Sequence, residues 1–93
     1  MSILNTVMLI GRYYSVNESN GYYSLSLIVK DSSDCDMTIP IAINKHLYDL
    51  FLEHCEDNDL VSIKGYISIK DNEVIIVASK VKFLSLKKQY VYY

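Results

Sequence analysis

The chain has 93 residues, of which 51% are hydrophobic and 22% charged, so it forms one compact domain and cannot be a multidomain enzyme. This apolar fraction and nine tyrosines exclude a disordered chain, and no apolar run approaches the length of a membrane span. The net charge of −2 argues against the strongly basic surface common among autonomous nucleic-acid binders, although a single face can still be basic.

The first part of the chain predicts a hairpin of two strands. Residues 6–14 combine β-branched and aromatic side chains with a short apolar run, which is typical of a strand buried on both faces for part of its length. Gly11 marks a bulge or bend in it. A dense turn signal at residues 17–21 leads into residues 22–30, where apolar and polar side chains alternate.

A third strand and a helix follow. The strand covers residues 37–43, and Pro40 places it at a sheet edge or at a bulge because proline donates no ladder hydrogen bond. Asn44 is a predicted helix N-cap. The period then becomes helical, with apolar side chains at Leu47, Leu50, Phe51 and Cys55.

The last part of the domain predicts a second hairpin. Residues 60–70 alternate strictly, and Gly65 in their apolar row allows a sharp bend. A tight turn at residues 71–73 leads into residues 74–84. The predicted inward-facing row of this last strand is Ile75, Val77, Val81 and Phe83.

This order of elements predicts an all-β OB-fold, a five-stranded Greek-key barrel with one short helix between strands 3 and 4. A glycine midway along each of two long strands supplies the bends that such a barrel requires. An SH3-like barrel usually lacks this helix, and a ferredoxin-like domain needs a second one. We expect an OB-fold domain over residues 1–85 and a basic, aromatic C-terminal tail over residues 86–93.

Four segments resemble the bacterial single-stranded DNA-binding protein family and occur in that family's order. They read NTVMLIGR at residues 5–12, SLSLIV at 24–29, DLVSIKGYI at 59–67 and VASKVKFL at 77–84. The resemblance implies an OB barrel that binds single-stranded DNA and assembles as a homo-oligomer through its first strand.

The chain departs from the family's pattern in three respects. Where the family stacks bases on Trp or Phe at the ends of its third strand, this chain has Met37 and Ile43, and it has no Trp. The loops at residues 31–36 and 71–73 are much shorter than the family's. The acidic C-terminal tail with an apolar tip is replaced by residues 86–93, so recruitment of partners by such a tail is not expected.

Lys and Tyr side chains interleave on the outward rows of the predicted strands. Sequence-tolerant binding of a single strand needs cations for the phosphates and flat side chains on which bases stack. The candidate nucleic-acid-binding residues are Arg12, Tyr14, Tyr22, Lys30, Lys64, Tyr66, Lys70, Lys80 and Lys82. Arg12 is the strongest single candidate because it is the only Arg and lies in a family-like segment. The alternative interpretation is that Tyr suits half-exposed strands and Lys protects sheet edges.

Two segments predict contacts with protein. The apolar run at residues 7–10 offers more apolar surface than one face of a barrel strand can bury. The C-terminal residues 87–93 are an arm that adds to a DNA groove, a strand that pairs with a partner, or a frayed end, and their tyrosines favour a protein contact. The candidate interface residues are Val7, Leu9, Tyr90, Tyr92 and Tyr93.

No motif indicates catalysis, a metal or a cofactor. Cys35 and Cys55 form no CxxC pair, and with His46 and His54 they match no zinc spacing. GxSxG, P-loop and GxGxxG motifs are missing, and the acidic residues 53–59 indicate a solvated rim. These missing motifs predict a non-enzymatic protein. The N-terminus shows no secretory signal, so a reducing cytoplasm is expected.

These patterns leave several functions open. The first is a single-stranded DNA-binding protein of replication or recombination that acts as a homo-oligomer. The second is a non-catalytic accessory subunit that binds a polymerase, primase or helicase and has weak DNA affinity alone; the acidic net charge, missing Trp and short loops favour it. RNA binding is a third, because base stacking is shared by both nucleic acids. Short members of this family are also typical of phages and other mobile elements.

Overall fold

The computed structural model describes residues 4–85 and the backbone of residues 91–92. Its strands are β1 (Val7–Ser19), β2 (Tyr22–Lys30), β3 (Asp36–Ile43), β4 (Leu60–Lys70), β5 (Glu73–Phe83) and β6 (Val91–Tyr92), and helix α1 (Lys45–His54) lies between β3 and β4. Every predicted strand and the predicted helix are present. β1 is longer than predicted, because it continues to Ser19 and pairs with β2 as far as Tyr22. In this described part, no helix is long and apolar enough to span a membrane.

The strands close into a barrel. They are ordered β3-β2-β1-β4-β5 with antiparallel neighbours, and a short parallel pairing of β3 with β5 closes the circle. β6 adds to an edge of β5, opposite Val81 and Lys82. A closed five-stranded barrel with one helix between β3 and β4 confirms the predicted OB-fold.

Pro40 lies on the open edge of β3, as predicted. It is the register partner of Ser26 in β2, whereas β3 pairs with β5 only at Ile41 and Ala42. Its missing N–H therefore costs the barrel no hydrogen bond on the side where β3 has no neighbour.

The core is formed by the inward rows of the strands and by one face of α1. Phe51 of α1 stacks on Tyr13, with ring centroids 5.8 Å apart, and meets Phe83 edge-on at 5.3 Å. The helix thus closes one end of the barrel. The buried hydrophobic residues are Tyr13, Leu25, Leu27, Val29, Ile41, Ile43, Leu47, Phe51, Val61, Ile63, Ala78, Val81 and Phe83.

A bulge in β5 makes half of its predicted inward row wrong. The ladder between β4 and β5 shifts register at Ser79, whose hydroxyl donates to the Lys64 carbonyl oxygen at 3.1 Å. Because one extra residue reverses the faces of a strand, Ala78 takes the inward position, and Ile75 and Val77 lie on the outward row. Val81 and Phe83, the last two residues of the predicted inward row, are buried as expected.

Helix α1 begins at the predicted N-cap. The Asn44 side-chain oxygen accepts a hydrogen bond from the Leu47 backbone N–H at 2.8 Å. We expect Asn44→Ala to lower the free energy of unfolding by about 1 kcal/mol, because this N–H loses its partner. Urea denaturation followed by circular dichroism measures the change. Asn44→Ser keeps an acceptor and is the control, so an equal loss in both variants would contradict the capping role.

Candidate nucleic-acid interface

The outward side of β2 is a continuous row across the barrel surface. Its side chains alternate with the buried ones of the same strand and run from Tyr22 through Ser24, Ser26 and Ile28 to Lys30. At about 3.3 Å per residue the row extends over about 26 Å. Ser24 and Ser26 in this row have small side chains, and candidate residues lie at both of its ends.

At the first end, the turns of the two hairpins flank a cleft of about 390 Å³. Here Lys70 of β4 places its Nζ atom 3.5 Å from the centre of the Tyr22 ring of β2, which is cation–π geometry. Asp71 and Glu73 also line this cleft, so it carries charges of both signs. The structure therefore brings together two predicted residues that are 48 positions apart in the sequence, 70 minus 22.

At the second end, two predicted cations share one carboxylate. Asp36 accepts from the Arg12 guanidinium Nη2 at 3.0 Å and from the Lys30 Nζ at 3.0 Å. Arg12 also donates to the Asn58 side-chain oxygen at 3.5 Å, and the Lys30 Nζ lies 3.8 Å from a carboxylate oxygen of Asp34. The Lys30 ammonium, followed by the Arg12 guanidinium, holds the pKa of Asp36 below its usual value. The sequence did not single out Asp36.

The outer face of the β4–β5 hairpin carries the other candidate lysines. Lys64 of β4 lies directly opposite Lys80 of β5, and Lys82 lies opposite Ser62. Tyr66, two positions beyond Lys64 on the same row, is 42% exposed. This face therefore offers both the cations and the aromatic surface that a single strand requires.

Tyr14 lies at a bulge of β1. The ladder with β2 shifts between Tyr13 and Ser15, and Ser15 is paired with Ser26. Because two residues of a bulge oppose one on the partner strand, Tyr14 lies beside the middle of the β2 row, where it is 59% exposed. Tyr13, the adjacent tyrosine, is buried in the core and is not available to nucleic acid.

The first half of β1 has an open edge. Its ladder with β4 begins at Val7, whereas its ladder with β2 begins only at Arg12. Within residues 4–85, the backbone of positions 7–10 thus faces no strand on that side. Val7 and Leu9 are half-buried, and the two side chains that alternate with them, Met8 and Ile10, are 67% and 66% exposed.

The other predicted interface residues lie at the C-terminus. The backbone of Tyr92 is paired with Val81 of the same chain as part of β6. Tyr90 and Tyr93 lie outside the residues that the structure describes. The contact of these tyrosines with another protein stays a prediction.

The thiols and the acidic residues form no reactive centre in the described structure. Burial, and next the charge of Asp59, raise the pKa of Cys55 to about 12, so this thiol is protonated at neutral pH. Cys35 is a free, exposed cysteine in the turn before β3. Within the described ranges, no group of three or more His, Cys, Asp or Glu residues could hold a metal ion.

No protein-family model matches the sequence, and no curated protein does. Solved structures match the fold closely. The mitochondrial single-stranded DNA-binding protein Rim1 of S. cerevisiae superposes with a TM-score of 0.72 at 14% identity, and the match covers 90% of this chain and 98% of the Rim1 chain. The chain shares its fold with single-stranded DNA-binding proteins.

Two further OB-fold structures are similar. The N-terminal domain of PriB from Thermoanaerobacter tencongensis, described as dimeric, has a TM-score of 0.63 and 23% identity over 86% of this chain and 96% of its own. A small single-stranded DNA-binding protein from Mycoplasma pneumoniae has a TM-score of 0.64 and 19% identity over 85% and 92% of the two chains. The resemblance drawn from the sequence is therefore confirmed at the level of the fold.

Proposed function

We propose that this OB-fold protein binds single-stranded DNA on its outer surface, along the β2 row and the outer face of the β4–β5 hairpin. The observation that carries the proposal is the shared face of five predicted residues. The strand register places them together on the outward side of the hairpin: Lys64, Tyr66, Lys70, Lys80 and Lys82. Cations that attract phosphates beside rings that stack on bases are the two components of sequence-tolerant binding.

The parallel pairing of β3 with β5 joins the two parts of this surface. Ala42 of β3 is paired with Val77 of β5, which in turn is paired with Tyr66 of β4. On the other side, Ala42 is paired with Ser24 of the β2 row. A strand of DNA that follows β2 can therefore reach Tyr66 across Ala42 and Val77.

The proposed role is binding without catalysis, in replication or recombination in the cytoplasm. DNA is favoured over RNA because the fold is shared with proteins that bind single-stranded DNA. Carriage by a phage or another mobile element is also part of this proposal.

Removal of the Tyr66 ring is the first test. We expect the wild-type protein to bind a labelled dT oligonucleotide in fluorescence anisotropy, with an affinity that falls as salt rises. Tyr66→Ala is expected to weaken binding about tenfold, because one stacked base contributes about 1–3 kcal/mol. Tyr66→Phe keeps the ring and is the control.

Two results would contradict the proposal at different levels. Equal affinity of the wild-type protein and a folded Tyr66→Ala variant would remove Tyr66 from the interface. An absence of binding by the wild-type protein at low salt, where phosphate contacts are strongest, would contradict direct DNA binding itself.

A role as an accessory subunit is the second candidate, and the open edge of β1 favours it. Unpaired backbone at positions 7–10 beside the exposed Met8 and Ile10 is suited to pairing with a strand of another molecule. Sedimentation equilibrium of the purified protein distinguishes a second copy of this chain from a different protein as the partner of this edge. A mass of two or more times 10.7 kDa supports a homo-oligomer, whereas a monomer leaves this edge open for a polymerase, primase or helicase.

A further inference from the structure

The shared carboxylate of Asp36 lies on the surface proposed for DNA. Asp36 begins β3 and is the register partner of Lys30, the last residue of β2. Arg12 of β1 has its own partner, Ile28, on β2, so its side chain must cross the outer surface of β2 to reach Asp36. The guanidinium and the ammonium therefore converge at the end of the β2 row.

These ion pairs are exposed. The side chains of Arg12, Asp36 and Lys30 are 38%, 53% and 56% exposed, respectively. Exposed ion pairs contribute little to stability, because water and salt screen them. The fold does not depend on this trio, so its anion can be exchanged for another without loss of the barrel.

The trio has the chemistry of an occupied phosphate site. Each oxygen of Asp36 accepts from one cation at 3.0 Å, as two oxygens of a phosphodiester would. An Arg fork beside a second cation is a common arrangement for binding phosphate. With Asp34, whose carboxylate oxygen lies 3.8 Å from the Lys30 Nζ, the site holds two cations and two anions, so loss of the Asp36 charge would leave it with a net charge of +1.

We propose that Arg12 and Lys30 form a subsite for a DNA phosphate, and that Asp36 occupies this subsite when no nucleic acid is bound. A phosphate must displace the carboxylate, so Asp36 is an internal competitor that sets the affinity and its salt dependence. This inference rests on the proposed binding of single-stranded DNA. It predicts that removal of the Asp36 charge strengthens DNA binding, whereas removal of a purely structural ion pair would not.

Asp36→Asn is the test, and Asp49→Asn is its matched control. Asp49 is an equally exposed aspartate at 54%, and it pairs with Lys45 on α1, away from the β2 row. The two variants change the net charge of the protein by the same amount. Any gain in affinity specific to Asp36→Asn therefore reports on the subsite and not on the total charge.

The measurement is anisotropy of a labelled dT oligonucleotide at a series of NaCl concentrations. Asp36→Asn is expected to bind about fivefold more tightly than wild type at low salt, which is the scale of one exposed ion pair. Its plot of log K against log salt is expected to be steeper by about 0.7, the value for one additional phosphate contact on a single strand. Asp49→Asn is expected to match wild type, and adding Arg12→Gln to Asp36→Asn should remove most of the gain.

Three results would overturn the inference. Unchanged or weaker binding by Asp36→Asn, with a wild-type circular dichroism spectrum, would show that the carboxylate does not compete with DNA. An equal gain in Asp49→Asn would attribute the effect to net charge. Failure of both wild type and Asp36→Asn to bind would contradict the proposed function as well. Asp36→Ser provides a second substitution if the Asn variant does not fold.

Discussion

Gly65→Ala is expected to lower the free energy of unfolding by about 3 kcal/mol, because the added methyl group would meet backbone and not a movable side chain. A Cβ atom at Gly65 would collide with the carbonyl oxygen of Val77 and lie 3.1 Å from the Cα of Ala78. These atoms belong to β5 at its bulge, where the two strands approach closely. The substitution therefore forces β4 and β5 apart at the bend of the barrel.

Urea denaturation of Gly65→Ala and Ser62→Ala measures this effect against a control. Ser62 lies on the same strand, three residues away, and faces outward. Ser62→Ala is expected to change the free energy of unfolding by less than about 0.5 kcal/mol. Equal stability of the wild-type protein and Gly65→Ala would show that β4 and β5 can separate at the bend without cost.

The strands and the helix were predictable because their signals are local. Alternation with a period of two separates the buried Leu25 and Leu27 from the outward Ser24 and Ser26 without any knowledge of the partner strand. The N-cap at Asn44 likewise needs only a side-chain oxygen three residues before the N–H that it accepts from. Such signals do not depend on how the strands associate.

The ends of the β4–β5 hairpin were not predictable in the same way. Ile67 and Ile69 share the apolar row of β4 with buried residues, yet they are 47% and 70% exposed because the hairpin extends past the barrel. The side chain of Asn5 fixes this extension by exchanging two hydrogen bonds of 2.8 Å with the Ile67 backbone. How far a strand outruns its barrel depends on the lengths of the neighbouring strands.

In the candidate interface, too, the positions set by local alternation were predictable, and the contacts set by strand order were not. The outward positions of Lys64, Tyr66 and Lys70 follow from alternation alone, and the structure places them on one face as predicted. Asp36 could not be found in this way, because its contact with Arg12 joins residues 24 positions apart on strands that are not neighbours. Sequence patterns identify which side chains face outward, and only the strand order shows which of them meet.

The lysines of the β4–β5 hairpin are expected to account for much of the salt dependence of DNA binding. Each lysine that neutralises a phosphate of a single strand contributes about 0.7 to the slope of log K against log salt. Replacing Lys64, Lys80 and Lys82 together by Gln is therefore expected to make that slope shallower by about 2. The affinity at low salt should fall on the order of a hundredfold, as expected for the loss of three charged contacts.

Anisotropy titrations of the triple variant, with Lys45→Gln as control, test this path for the DNA. Lys45 pairs with Asp49 on α1, outside the proposed surface, so its replacement is expected to leave the slope unchanged. An unchanged slope in a folded triple variant would contradict a path over the β4–β5 face. In that case the phosphate contacts would have to lie on the β2 row, and Arg12→Gln with Lys30→Gln would then reduce the slope instead. The two sets of lysine and arginine substitutions thus show whether the β4–β5 face, the β2 row or both contact the phosphates of the nucleic acid.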